Sequence, residues 1–167
     1  MIPEIKKILY ATDLSENARY AFTYAVSLAD RYGAKITILH VLEELHPGAT
    51  NLAAQIVGEE KWNELRKDNE QNVIHMIKTR LETFCEDVAN EVPQCQFFVD
   101  QVLVKIGHPA DIILKQAEAT QCDMVVMGTH GLGLLADVAM GSTSRRVARR
   151  CNKPVLIVRL PEGHGNI

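Results

Sequence analysis

The part of this sequence best suited to chemistry is Met127-Gly128-Thr129-His130-Gly131, followed nine residues later by Gly141-Ser142-Thr143. The spacing is G-x2-G-x9-G-S, directly after the apolar run Met124 to Met127. A strand would end at the first glycine, and a helix-compatible segment, Ser142 to Arg150, opens after the last. Such a strand–loop–helix turn aims bare backbone N–H groups and a helix N-terminus at one anion. Glycines also mark turns and close packing. The spacing therefore leaves two readings open, a phosphate cradle and a tightly packed turn.

The elements that must position this loop are readable along the chain. Ile5 to Ala11 is a short apolar run stopping at Thr12-Asp13, as a buried strand would. Ser15 can cap a helix whose apolar stripe is Ala18, Ala21, Phe22, Ala25, Val26 and Ala29, with Gly33 as its C-terminal stop. Ala34 to Leu42 is a second strand. Two continuously apolar strands joined by a helix imply a parallel sheet covered on both faces. Residues 43–58 are irregular, bracketed by Pro47, Gly48 and Gly58. A long helical stripe follows (Trp62, Leu65, Val73, Ile77, Leu81, Phe84, Val88), with Asn69 in a polar slot that predicts a bend or break, and Pro93 closes it. Phe97 to Val104 reads as a third strand, with Asp100 and Gln101 suited to a sheet edge. Pro109 starts a helix over 110–119, strand four covers 123–127, and strand five covers 155–159 after the break at Asn152-Lys153-Pro154. Residues 161–167 should fray. The alternation predicts one doubly wound α/β domain over 1–160.

Composition agrees with a globular domain: 167 residues, 47% hydrophobic, 23% charged and a net charge of −3. No apolar run approaches the ~20 residues that span a bilayer. The N-terminus lacks a signal-peptide layout, so the cytoplasm is the expected compartment. The interspersed charges argue against a nucleic-acid surface. Arg145, Arg146, Arg149 and Arg150 form a local basic cluster, read first as a solvated helix end and second as a phosphate contact through Arg145 or Arg146. Cys85, Cys95, Cys122 and Cys151 have neither disulfide-framework nor zinc spacing, and Cys122 and Cys151 read as small core residues.

Three stretches carry a resemblance: KKILYATDLSENARYAFTYAVSLADRYGAKITILHV, HPADIILKQAEATQCDMVVMGTHG and GSTSRRVARRCNKPVLIVR. Together they resemble the universal stress protein family over nearly the whole chain. Gly128, Gly131, Gly141 and Ser142 match the G-x2-G-x9-G-[ST] pattern of its nucleotide-binding branch without a gap. The resemblance implies a Rossmann-like, five-stranded parallel sheet of order 3-2-1-4-5, with helices on both faces. It also implies a crevice at the carboxyl ends of strands one and four, and ATP, ADP or AMP as the ligand. Asp13 then matches the acceptor of the ribose hydroxyls, a role that suits an acceptor-only carboxylate. Ala11, Thr12 and Val41 match positions lining the adenine. Met127 leads into the phosphate group of residues: Gly128, Gly131, Gly141, Ser142, Thr143 and Ser144, the last three as hydroxyl or N–H donors. His130 reads as solvent-facing or capping, and His40 as a hydrogen-bonded core or strand-end histidine.

Catalytic groups are harder to find. No G-x-x-x-x-G-K-[ST] sequence occurs, and the only charge between Gly131 and Gly141 is Asp137. Phosphoryl-transfer engines use a lysine and a metal-ligating acid, and neither is evident. A Mg²⁺ or Mn²⁺ ion could still bridge nucleotide phosphates while keeping mostly water ligands. The reading is thus a nucleotide-dependent regulatory or stress-response protein with an unnamed protein partner. A slow ATPase or phosphotransferase and a non-nucleotide scaffold are the alternatives. Strand five would be an exposed apolar edge in a monomer, and the resemblance implies a homodimer through residues 155–159. Leu52, Ile56 and Val57 of the 43–58 insert could form a lid or an ordinary packed loop.

Overall fold

A computed structural model of the chain describes residues 2–43, 54–91, 93, 98–130 and 140–161. Gly131, the central part of the expected lid (44–53), Phe97 and the tail 162–167 lie outside the described residues. Five parallel strands form one sheet in the order β3-β2-β1-β4-β5. They are β1 (Lys7–Thr12), β2 (Lys35–Leu42), β3 (Val99–Ile106), β4 (Met124–Gly128) and β5 (Val155–Val158). The helices between them are α1 (Glu16–Tyr32), α2 (Glu59–Glu91), α3 (Pro109–Ala119) and α4 (Ser142–Arg150). This is the doubly wound architecture and strand order expected.

The period of a strand divides the core in two. Ile8 and Tyr10 of β1 point to the face covered by α1 and α2, where they meet Phe22, Ala25, Leu81 and Ile38. Leu9 and Ala11 point to the other face, against Ile113 of α3 and Val147 of α4. The Tyr10 hydroxyl donates to the Ala18 carbonyl at 2.6 Å, which ties β1 to the first turn of α1, and burial pushes its pKa above the usual phenol range. Helix α1 starts and stops on its caps. Ser15 accepts the Ala18 N–H at 3.2 Å, and Gly33 takes the left-handed conformation at φ 65°.

The long helix departs from expectation. Helix α2 runs unbroken past Asn69, which is exposed, and Leu65 is 46% exposed rather than buried. Trp62 is half-buried, residues 65–69 are exposed, and burial resumes at Val73 and is complete at Leu81 and Val88. Asn69 is itself exposed, so a polar side chain there costs nothing and breaks nothing. The edges fall as expected: β3 with exposed Asp100 and Gln101 on one side, β5 on the other. Cys122 is buried and Cys151 packs partly buried on the same core face. Among the described residues no helix is long and apolar enough to cross a membrane.

Candidate functional site

The strand ends that frame a site lie level with one another. Ala11 sits opposite both Met127 of β4 and Leu39 of β2, and Thr12 sits opposite His40. From here β1 leads to α1 on one face and β4 leads to α4 on the other. The diverging connections leave a crevice at the point where strand order reverses. Its volume is about 560 Å³, within the range of small-molecule sites. Ala11, Leu39, Met127 and Ile113 give it apolar lining, and Thr12, Asp13, Val41, Gly128, Gly141, Ser142, Thr143 and Ser144 complete its wall. Gly131 aside, the structure thus brings the whole candidate set to one cavity. Sequence reasoning did not assign Leu39, Thr129, Pro109 or Ile113 to this space. Their types and spacing are those of ordinary core and turn residues.

The start of α4 gathers backbone donors beside the crevice. The first hydrogen bond of α4 is Arg145 N–H to the Gly141 carbonyl at 3.0 Å, so the N–H groups of Ser142, Thr143 and Ser144 have no acceptor within the helix. Gly141 is the N-cap and offers no side chain to satisfy them, and the first turn holds no acidic residue. Partial positive charge therefore collects where these donors meet the crevice. The base of the loop is pinned by Thr129, whose carbonyl accepts both the Gly141 N–H (2.8 Å) and the Ser144 hydroxyl (2.8 Å). This narrows one expectation, that Ser144 offers a hydroxyl or an N–H. The Ser144 hydroxyl is committed inside the protein, so its N–H is the group it can present to a ligand. Arg145 donates to the Met140 carbonyl at 3.1 Å and Arg146 pairs with Asp111 at 3.0 Å; neither lines the crevice.

Gly128 has a reason of its own. A Cβ there would lie 2.1 Å from Asn17 Oδ1, so the missing side chain makes room for Asn17 of α1. Asn17 is buried; its amide oxygen accepts the His130 N–H at 3.3 Å, and its nitrogen donates to the Val158 carbonyl at 3.5 Å. Of the two readings of the motif, close packing thus accounts for its first glycine, while its last is the N-cap of α4. Asn17 itself gave no sequence signal, being one polar residue in the first turn of a helix. His130, read as solvent-facing or capping, takes part in this bonding through its backbone and its ring meets the Thr129 hydroxyl at 2.9 Å.

The 12–15 turn, after β1, is tightly held. Asp13 Oδ1 accepts the Ser15 N–H at 3.0 Å, and Thr12 Oγ1 accepts the Leu14 N–H at 3.1 Å. Leu14 between them is left-handed at φ 66°, a conformation that costs a non-glycine residue about 1 kcal/mol or more. That strain is sustained by packing of Leu14 on the α1/α2 core, and it sets the Asp13 carboxylate on the crevice rim.

His40, 8% exposed, donates from Nδ1 to the Thr12 carbonyl at 2.8 Å, as a strand-end histidine should. Burial lowers its pKa from the usual 6.5, with Arg80 adding to the effect and the Thr12 bond and Asp13 opposing it. The sign of the linkage follows. Below about pH 6.5 the unfolded chain takes up a proton at this position and the folded chain does not. Stability contributed by the neutral ring is therefore complete above pH 6.5 and declines as pH falls toward the lowered value. Urea titrations between pH 7.5 and 5 should show His40→Asn with a flatter decline than the parent; identical slopes would assign the pH dependence to other groups.

Comparison with known proteins places the chain among them. The sequence pattern of the universal stress protein family (Usp) matches residues 4–159. Universal stress protein MJ0577 of Methanocaldococcus jannaschii is 29% identical over 154 residues, covering 92% of this chain and 94% of that protein. The solved MJ0577 structure superposes with a TM-score of 0.73 over 95% of this chain and 99% of its own. A universal stress protein in complex with cAMP matches at 19% identity and a TM-score of 0.56, covering 94% of this chain and 98% of its own. One from Archaeoglobus fulgidus in complex with dAMP matches at 16% and 0.55, covering 94% and 99%. At these identities the two complexes share the fold. Among the described residues no cluster of three or more His, Cys, Asp or Glu could hold a metal ion.

Proposed function

The chain belongs to the universal stress protein family, and we propose that within it this protein binds an adenine nucleotide and acts as a nucleotide-dependent regulatory module. One observation carries the reading. The N–H groups of Ser142, Thr143 and Ser144, which have no acceptor within the helix, and the residue Asp13 line one crevice with an apolar floor. Donors suit phosphate, the carboxylate suits ribose hydroxyls, and the floor between Ala11, Val41 and Met127 suits a planar base. The cAMP and dAMP complexes of structural relatives support the same ligand class. A divalent ion would arrive with ATP on its phosphates, held largely by water. Two guanidiniums lie near the seat in sequence but are bonded elsewhere, so the site offers binding groups rather than a cationic clamp for phosphoryl transfer. The edge strand β5, with Val155, Leu156 and Ile157 partly exposed, supports pairing with a second copy across a two-fold axis.

Calorimetry with AMP and with ATP plus Mg²⁺ tests the reading. A saturable site of micromolar affinity is expected, since a few charge-assisted hydrogen bonds of about 1.5–3 kcal/mol each suffice. At a ligand concentration of about 100 Kd, nucleotide should raise stability by ~2.7 kcal/mol. No heat of binding and an unmoved melting temperature at millimolar nucleotide would reject it. Light scattering of the same preparations should give a dimer mass, and a monomer at tens of micromolar would reject pairing through β5.

A further inference from the structure

Helix α1 has two flanks, and their partners fix which way each one faces. On one side Arg19 lies 3.5 Å from Asp87 of α2 and over the Phe84 ring. On the other, the Asn17 amide donates to the Val158 carbonyl of β5. Tyr20, Tyr24 and Leu28 follow Asn17 at steps of three and four, so they line the flank turned toward β5. Tyr20 and Leu28 pack on the same core face as Leu156 of β5. The two tyrosine rings meet edge to face, with centroids 5.5 Å apart and planes at 71°, and their hydroxyls are 3.5 Å apart. Tyr24 is nevertheless 43% exposed. Two aromatic rings that already hold each other in place lose little side-chain freedom when a partner covers them.

We propose that this flank of α1 is the second half of a dimer interface, and that what covers it is the same flank of a second copy. The proposal rests on pairing through β5 and deepens it. Area is the first argument. A stable pair buries about 1,200 Å² of total surface or more. An edge strand of four residues, already partly covered by its own domain, falls short of that, so elements beside β5 must supply the remainder. Helix α1 flanks β5 on one face of the sheet and α4 on the other. Symmetry then chooses between them, because across a two-fold axis each patch meets its own copy. Arg146 and Arg150 reach Asp111 of α3, which leaves Arg145 and Arg149 on the opposite flank of α4, and two copies of that flank repel. Two copies of the α1 flank bury aromatic and apolar surface against each other.

Sedimentation equilibrium over a dilution series tests this on the parent, Tyr24→Lys, Tyr24→Phe and Met76→Lys. Tyr24 is half exposed, so circular dichroism should show every Tyr24 variant folded. Tyr24→Lys should raise the dimer dissociation constant about tenfold or more, since each substitution counts twice in a symmetric interface. Tyr24→Phe keeps the ring and should stay within a few-fold of the parent. Met76, 67% exposed on α2, tests the same gain of charge away from β5 and should change nothing. A dimer that Tyr24→Lys leaves unweakened overturns the α1 contact while sparing β5 pairing. Equal weakening by Met76→Lys, or by Tyr24→Phe, also overturns it. A parent chain that stays monomeric at tens of micromolar overturns β5 pairing and the α1 contact together.

Discussion

Ser142→Glu is expected to abolish nucleotide binding without harming the fold. Ser142 is exposed at the first position of α4, so the longer side chain meets no packed neighbour. A carboxylate there interacts favourably with the helix N-terminus, by about 0.3–1 kcal/mol, so the melting temperature should hold or rise. The same carboxylate occupies the seat proposed for phosphate. Two like charges about 4 Å apart near a protein surface repel by ~4 kcal/mol, enough to weaken binding on the order of 100-fold or more. Ser142→Gln keeps the length without the charge and should lose far less. Calorimetry and thermal melts on both variants separate these effects. A Ser142→Glu protein that binds AMP within a few-fold of the parent would remove the phosphate from this end of the crevice.

Gly128→Ala should destabilise the fold by about 1–3 kcal/mol, a large effect for one methyl group, because the added Cβ falls 2.1 Å from Asn17 Oδ1. Asn17 has little freedom to yield, being buried and bonded to both His130 and Val158. Asn17→Ala alone should cost about 1–2 kcal/mol, chiefly by leaving the His130 N–H without its acceptor. The Val158 carbonyl keeps the Thr129 N–H at 3.0 Å. The double variant should be more stable than the sum of the two losses implies, since removing Asn17 makes room for the methyl group. Relief should stay incomplete, because the Asn17 backbone carbon is itself 3.3 Å from the new Cβ. Denaturant unfolding of all four proteins gives the coupling energy. Strict additivity would mean that Gly128 is glycine for some reason other than this contact.

Much of the fold was legible because its signals are local. Ser15 and Gly33 bound α1 by hydrogen bonds and a left-handed φ confined to a few residues. The strands differ from their expected limits by a residue or two, since a sheet pairs backbone wherever a neighbour is in register. Ile106 joins β3 opposite Leu42 in this way, although nothing in its own neighbourhood marks it. Helix α2 was misread for a related reason. Periodicity reports that a helix has an apolar side, and it cannot report whether a domain lies beneath it, so Asn69 looked like a defect in a stripe that is half unpacked.

By itself, then, the sequence determined the alternation of elements and the two-sided core, and its resemblance to a known family named the residues gathered at one end of the sheet. Their types, periods and caps act within a turn or a strand. Only the tertiary structure decided what several of those residues do there. It gave Gly128 to the packing of Asn17, turned the Ser144 hydroxyl inward to Thr129, and held Leu14 left-handed beside Asp13. Each outcome depends on groups brought together by folding, as when Asn17 meets a carbonyl 141 residues away. The glycine spacing marked a place where backbone must come close, and tertiary contact decided which glycine makes room for Asn17 and which caps a helix beside the crevice.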